Sequence, residues 1–238
     1  MMLVVGCHAL IIVHPEMSMC VRNFYFPLFS PFGNGDLGVD IFFVLSGFLI
    51  GYILLKECEN HDGELDIKSF IRSRFIRIWP AMCVYITLMT PLIGAYFKCD
   101  LFTAFLKFWL TTMTFICNYL GYGSHLWSVA VEFQMYLLSP FYVKWIYKNQ
   151  SKAFISSVAI IVISLVAQFL VFYLSGACTE ANVEKFAHLS EVEAMQNGNT
   201  CFGFNFMYIY RQTYARIGAY SLGMYVALLI RNDKEHDY

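Results

Sequence analysis

The chain has 238 residues, a formal charge of −1, 58% hydrophobic residues and only 14% charged ones. Soluble domains carry roughly 25% charged residues, so the composition argues against a water-soluble domain and for a polytopic membrane protein. The near-neutral charge leaves no electrostatic footprint for nucleic acid, and no basic n-region or cleavage site marks a cleavable signal.

Residues Met1 to His14 are apolar but short of a full span, and Pro15 ends them. Glu16 to Asp36 reads as a loop broken by Pro27, Pro31, Gly33 and Gly35. Leu37 to Leu55 is long enough to cross a bilayer. Lys56 to Lys68 is polar and Ser69 to Arg77 carries Arg72, Arg74 and Arg77, so residues 56–78 read as a basic cytoplasmic loop. Trp79 to Phe97 is a third apolar segment, with Pro80 placed in its first turn, where proline is tolerated. Leu101 to Leu120 is hydrophobic but interrupted by Lys107. Leu126 to Ile146 contains Glu132 and Gln134, with Pro140 as a kink. Ala153 to Leu174 is the cleanest span. Ser175 to Tyr214 is a long mixed loop, and Ala215 to Ile230 a short final span. The expected fold is an all-α polytopic transmembrane helix bundle of about six to seven membrane segments, forming a single domain over residues 1–238.

Positive charge sets the orientation. The clusters Lys68 to Arg77, Lys144 to Lys152, and Arg231 with Lys234 all fall in the cytoplasm if Leu101 to Leu120 does not cross fully but is re-entrant or buried against other helices. Residues 175–214 then face outward, and the sequon Asn149-Gln150-Ser151 lies on the cytoplasmic side, where no glycan is expected. The eight cysteines show no metal-ligand spacing. Cys7 and Cys83 read as small core residues. Cys20, Cys99, Cys178 and Cys201 fall in outward loops, where a disulfide is one open reading and Cys178 with Cys201 the favoured pair.

At ~1.5 Å rise per residue, Asp40 lies roughly 5 Å below Leu37, Glu132 roughly 9 Å below Leu126 and His8 roughly 8 Å below Val13. Three ionisable side chains are thus expected at one depth in the outward half, and Arg216 opens the last helix from the same side. Each has a plainer reading. His8 could be a satisfied core histidine, and Asp40 a cap favoured by the helix dipole. The arginine cluster could be only topogenic. Glu132 is too deep for an easy cap, which favours a function or an ion pair. Ser46 reads as a packing residue beside Gly47, because small residues let helices approach. Chemically, a histidine beside a carboxylate can take a proton from a hydroxyl, and arginines can hold phosphates by bidentate contacts.

Gly38-Val39-Asp40-Ile41-Phe42-Phe43-Val44-Leu45-Ser46-Gly47-Phe48-Leu49-Ile50 resembles the hallmark of the acyltransferase 3 family of integral-membrane O-acyltransferases. That family includes bacterial polysaccharide O-acetyltransferases and the animal nose-resistant-to-fluoxetine-like proteins. Arg72-Ser73-Arg74-Phe75-Ile76-Arg77-Ile78-Trp79-Pro80-Ala81 is similar to its basic stretch running into an R-I-x-P helix start. Leu126-Trp127-Ser128-Val129-Ala130-Val131-Glu132-Phe133-Gln134-Met135-Tyr136-Leu137 is similar to its W-S-L-A-V-E-x-Q-F-Y-L block. Arg216-Ile217-Gly218-Ala219-Tyr220-Ser221-Leu222-Gly223 resembles the R-I-G-x-Y-x-x-G segment of the animal members. Val4 and His8 fit the family's V-x-x-x-H pattern.

The resemblance implies transfer of an acyl group, often acetyl, from acyl-coenzyme A to a hydroxyl of a lipid or carbohydrate acceptor. Acyl-CoA is then a co-substrate, with no permanently bound cofactor and no metal. The expected roles are His8 as general base, Asp40 or Glu132 orienting it, Arg72, Arg74 and Arg77 on the coenzyme A phosphates, and Trp127, Ser128, Tyr136 and Arg216 at the substrate. The family core is expected to continue past Ile230, so the chain reads as an incomplete copy of that fold. The competing reading is a lipid or small-molecule transporter, or an inactive relative, because intramembrane ionisable residues suit a transport path too. His61-Asp62-Gly63-Glu64-Leu65-Asp66 matches the H-x-x-x-x-D pattern of glycerolipid acyltransferases and is expected to be only a solvated loop.

Overall fold

Backbone N–H and C=O groups in an apolar surrounding must be satisfied within their own segment, which selects helices for long hydrophobic runs. In a computed structural model describing residues 35–96, 100–120, 126–176, 178–185 and 199–236, the regular elements are all helical. Helix α1 spans Gly35–Asn60 and α2 spans Ile67–Tyr96. Then follow α3 (Leu101–Met113), α4 (Cys117–Leu120), α5 (Trp127–Ile146) and α6 (Gln150–Ser175). After the short α7 (Glu180–Lys185), α8 (Cys201–Phe204) runs into a π-helical turn at Asn205–Tyr210, and α9 covers Thr213–His236. Two stretches, Leu37–Asn60 and Gln150–Ser175, are long and apolar enough to cross a membrane. The latter leaves Ile155, Ile163, Phe169 and Tyr173 exposed, a surface that suits lipid.

Several boundaries differ from the sequence reading. The expected basic loop at 56–78 is largely helix: α1 runs on to Asn60 and α2 begins at Ile67. Pro80 is therefore inside α2 rather than in its first turn, where it removes one intrahelical hydrogen bond. The reason lies in a continuous inward stripe of Phe70, Ile78, Met82 and Ile86, whose packing carries the helix through the proline. Between the two helices, Asp66 accepts the Ser69 N–H at 3.1 Å and exposed Glu64 meets Lys144 at 3.0 Å. The H-x-x-x-x-D segment is thus a capped, solvated turn. Asn149 of the sequon is the N-cap of α6, accepting the Lys152 N–H at 2.9 Å.

The direction of each helix follows from its contacts. Asp40 pairs with Arg216 and Glu59 with Arg231, while Phe43 packs on Trp127 and Ser46 bonds to Glu132, so α1, α5 and α9 run the same way. Helix α6 runs opposite, with Ser157 bonded to the Ser221 carbonyl and Ser164 to that of Tyr214. Helix α2 starts near Lys144 at the end of α5 and runs back. The chain therefore leaves α2 and enters α5 at one end of the bundle, and α3 with α4 returns to the end it left. With 13 residues, α3 is about 20 Å long, short of the ~30 Å hydrocarbon core. Asp100 caps it, and the Thr103 N–H donated to its carboxylate lowers the carboxyl pKa.

Helices α1 and α9 touch backbone to backbone. A Cβ on Gly47 would sit 2.1 Å from the Tyr220 carbonyl oxygen, and one on Gly223 2.0 Å from that of Val44. Gly47 and Gly51 on α1, and Ala219, Gly223 and Ala227 on α9, recur every fourth residue, so each lies one turn above the last on the facing surface. Phe43, Leu54, Val131, Met135, Met224 and Leu228 fill the core around this crossing. Cys178 and Cys201 form a disulfide across the segment that precedes α9.

Candidate functional site

Helix α5 places Glu132, Tyr136 and Ser139 at i, i+4 and i+7, one face of a helix. That face looks onto α1 and α9. Ser46 of α1 donates its hydroxyl to Glu132 Oε1 at 2.6 Å, and the Tyr136 hydroxyl donates to the same oxygen. One turn further, the Ser139 and Tyr220 hydroxyls lie 2.9 Å apart, both buried. Ser46, read from sequence as a packing residue, is thus a hydrogen-bond donor to the carboxylate, while Gly47 makes the helix contact. No sequence signal links Ser46 to a partner 86 residues away. The stripe Glu132, Tyr136, Ser139 is visible in the sequence as three polar groups at helical spacing.

Helix α2 adds positive charge to this layer. Arg74 stands on the inward stripe between Phe70 and Ile78, with its guanidinium 5.3 Å from the centre of the Phe70 ring. Its neighbour Phe75 packs 6.1 Å by ring centres from Phe133, next to Glu132 on α5. The Arg74 Nε is buried without a hydrogen-bond partner among the described residues. Arg72 and Arg77 are exposed. The arginine cluster therefore divides, one member turned into the bundle and two turned out.

A second polar layer lies nearer the α9 start. Arg216 Nη1 meets Asp40 Oδ1 at 2.6 Å, and its Nε donates to the Tyr210 carbonyl at 3.0 Å. The guanidinium also lies 4.4 Å from the centre of the Tyr210 ring and 5.9 Å from that of Trp127. The Arg216 side chain is 9% exposed and that of Asp40 43%. Asp40 is not a terminal cap, because α1 begins at Gly35. Asp40 and Glu132 do not share a depth as expected. Trp127, the first residue of α5, packs 6.5 Å from Phe43 by ring centres, so Glu132 reaches the level of Ser46. Six residues along α1 separate Ser46 from Asp40, about 9 Å.

On another face of α5, Gln134 donates to the Phe115 carbonyl at 2.6 Å and to Asn118 Oδ1 at 3.1 Å, and accepts the Thr213 hydroxyl. Arg211 donates to the Cys117 and Asn118 carbonyls at 3.0 and 3.1 Å. This network fastens the α3–α4 turn to α5 and α9. Of its members, only Gln134 stood out in the sequence. Ser128 is half-buried and Trp127 buried. His8 lies outside the described residues. Among the described residues, no group of three His, Cys, Asp or Glu side chains is placed to hold a metal ion. A carboxylate held by two hydroxyls, with a guanidinium on the neighbouring helix α2, can position a proton acceptor and favour charge developing on an oxygen.

A family model described as an acyltransferase domain matches residues 1–237. The chain is 35% identical over 138 residues to the peptidoglycan O-acetyltransferase OatA of Listeria monocytogenes, covering 50% of this chain and 22% of that protein. It is 27% identical over 171 residues to the regulator of hypoxia-inducible factor 1 of Caenorhabditis elegans, covering 66% and 33% of the two chains. It is 30% identical over 160 residues to the O-acetyltransferase OatA of Staphylococcus aureus, covering 60% and 26%. The match thus spans about a fifth to a third of these relatives' lengths. No solved structure matches significantly.

Proposed function

The chain belongs to this acyltransferase-domain family, and from that membership we propose that it forms the core of a membrane-bound O-acyltransferase. The acyl group, acetyl first, moves from acyl-CoA to a hydroxyl of a lipid or carbohydrate acceptor. The family match carries the reaction class, and two of the relatives named above are O-acetyltransferases. The supporting geometry is the Glu132 layer, where a carboxylate from α5, a hydroxyl from α1 and an arginine charge from α2 converge inside the bundle.

His8 acts as the general base. It removes the proton from the acceptor hydroxyl as that oxygen attacks the thioester carbonyl carbon. The carbon–sulfur bond breaks, and the coenzyme A thiolate leaves and takes up the proton. Glu132, fixed by Ser46 and Tyr136, orients the imidazole and stabilises its cationic form. Asp40, committed to Arg216, holds the start of α9 against α1 and shapes the acceptor side with Trp127, Ser128 and Tyr136. Arg72, Arg74 and Arg77 form the donor wall, with exposed Arg72 and Arg77 on the phosphates. The chain is a multi-pass bundle of about six to seven membrane segments with residues 175–214 outside. The Cys178–Cys201 bridge supports that side, because disulfides persist in oxidising compartments.

The test is transfer of radiolabelled acetyl from acetyl-CoA to the lipid and glycan fractions of membranes containing the protein. Wild-type protein is expected to label a hydroxyl-bearing acceptor, and His8→Ala to lose ~10²-fold or more of the rate. An unlabelled acceptor with the wild type contradicts the acyltransferase reading. Full transfer by His8→Ala contradicts the role of the base.

A further inference from the structure

The three arginines of α2 differ in what they face. Arg72 and Arg77 are exposed, as a phosphate-binding cluster requires. Arg74 stands on the buried stripe with Phe70 and Met82 one and two turns away. Its Nε is desolvated and has no acceptor among the described residues. The ion pairs among the described residues are Lys144–Glu64, Arg216–Asp40 and Arg231–Glu59, so Arg74 is not neutralised by a contacting carboxylate there. Leaving a buried donor unmet costs about 1–3 kcal/mol, more for a charged group; Arg74 is half-buried, with its Nε fully desolvated. A hydrophobic or smaller residue on that stripe would avoid that cost. The arrangement fits a group that gains its acceptor only when a ligand arrives.

The ligand's chemistry follows from the position. Arg74 lies between Arg72 and Arg77 along α2 but on the inward face, one turn from Phe70 and Ile78, so it is turned away from the bulky phosphates that exposed Arg72 and Arg77 face. Its neighbour Phe75 packs 6.1 Å by ring centres from Phe133, the residue after Glu132 on α5, which sets this part of α2 at the layer of Glu132 where acyl transfer is placed.

We infer that Arg74 is a catalytic residue whose guanidinium receives the thioester carbonyl oxygen of the acyl donor, while Arg72 and Arg77 serve the phosphate end. This rests on the acyl-CoA reading above. When the acceptor oxygen attacks, the carbonyl π pair moves onto that oxygen, and Arg74 holds the resulting oxyanion. The pair returns as the carbon–sulfur bond breaks, and the thiolate leaves with the proton taken from the acceptor. The Tyr136–Glu132–Ser46 bonds keep the facing wall fixed, so the donor is aimed before the charge appears.

The test compares binding of acetyl-CoA with that of S-ethyl-CoA, a thioether that lacks the carbonyl, by the wild-type protein and its Arg74→Gln, Arg74→Lys and Arg72→Gln variants. Wild type is expected to prefer the thioester. Arg74→Gln is expected to bind both compounds with the wild-type thioether affinity, and to lose ~10²–10³-fold in kcat, with KM for acetyl-CoA raised only by the lost thioester preference. Arg74→Lys is expected to recover part of the rate, and Arg72→Gln to weaken both ligands alike. Retained thioether binding in each variant reports a folded donor site. Equal weakening of both ligands by Arg74→Gln makes Arg74 a phosphate contact and overturns the inference alone, as does an unchanged preference for the thioester. Failure of the wild type to bind either compound overturns the donor reading and the inference with it.

Discussion

Glu132 accepts two hydroxyls on one oxygen, from Ser46 on α1 and from Tyr136 on its own helix. Hydrogen bonds to a charged group contribute about 1.5–3 kcal/mol, although interhelical bonds in membranes average nearer ~0.6 kcal/mol. The larger range applies, because the acceptor is a carboxyl group half-buried between packed helices. Ser46→Ala and Tyr136→Phe should each lower unfolding free energy in detergent by about 1–2 kcal/mol. The double variant should exceed the sum, because either hydroxyl alone can still satisfy the shared oxygen and only the double loss leaves it unmet. Strict additivity would separate the two bonds. At this scale the sequence singled out Glu132, because a carboxylate deep in an apolar run needs a reason. Ser46 was harder to read, since its position beside Gly47 has a sufficient packing explanation and its partner lies on a distant helix. Asp40 found an ion pair rather than a place beside Glu132, because depth from a helix end says nothing about how neighbouring helices slide.

That slide is fixed at the level of the elements by the crossing of α1 and α9. Gly47 and Gly223 each leave room for a carbonyl of the other helix, and the crossing brings Asp40 to Arg216 and Glu59 to Arg231. Gly47→Ala or Gly223→Ala must push the backbones apart. Either should cost ~3 kcal/mol or more, at or beyond the upper end of ordinary overpacking, and reduce activity with stability. Gly218→Ala is the control. Its Cβ would stand 3.4 Å from Ile161, so its midpoint in thermal unfolding should hardly move. A tolerated Gly47→Ala would contradict the close crossing. The Ser-Gly pair announced such a contact in the sequence, but its partner was not identifiable. The continuity of α2 was not legible either, since Arg77-Ile78-Trp79-Pro80 looks like a helix start and only the buried stripe on both sides of Pro80 carries the helix through.

For the molecule as a whole, the parallel run of α1, α5 and α9, with α2 and α6 reversed, places the disulfide and the Asp40–Arg216 pair at one end. The Glu59–Arg231 and Glu64–Lys144 pairs lie at the other. Lys144 and Arg231, from two of the clusters that the sequence reading sets on one side, share that end. The return of α3 and α4 to their starting end fits the reading in which 101–120 does not cross fully. The Gln134–Asn118–Thr213 network that secures this return was hidden, being built from residues that each look like ordinary loop polarity. In this arrangement Glu132, with Ser46 and Tyr136 on its carboxylate, lies inside the bundle where α2 packs on α5. The most direct measurement is therefore the rate of acetyl transfer from acetyl-CoA by membranes containing Glu132→Gln protein, at matched expression with wild type. The variant keeps the side-chain shape but loses the carboxylate that, on the proposed mechanism, orients and stabilises the base. A fall of ~10²-fold or more, with acetyl-CoA still bound, is the expected result; transfer at the wild-type rate would contradict a reaction centred on this carboxylate.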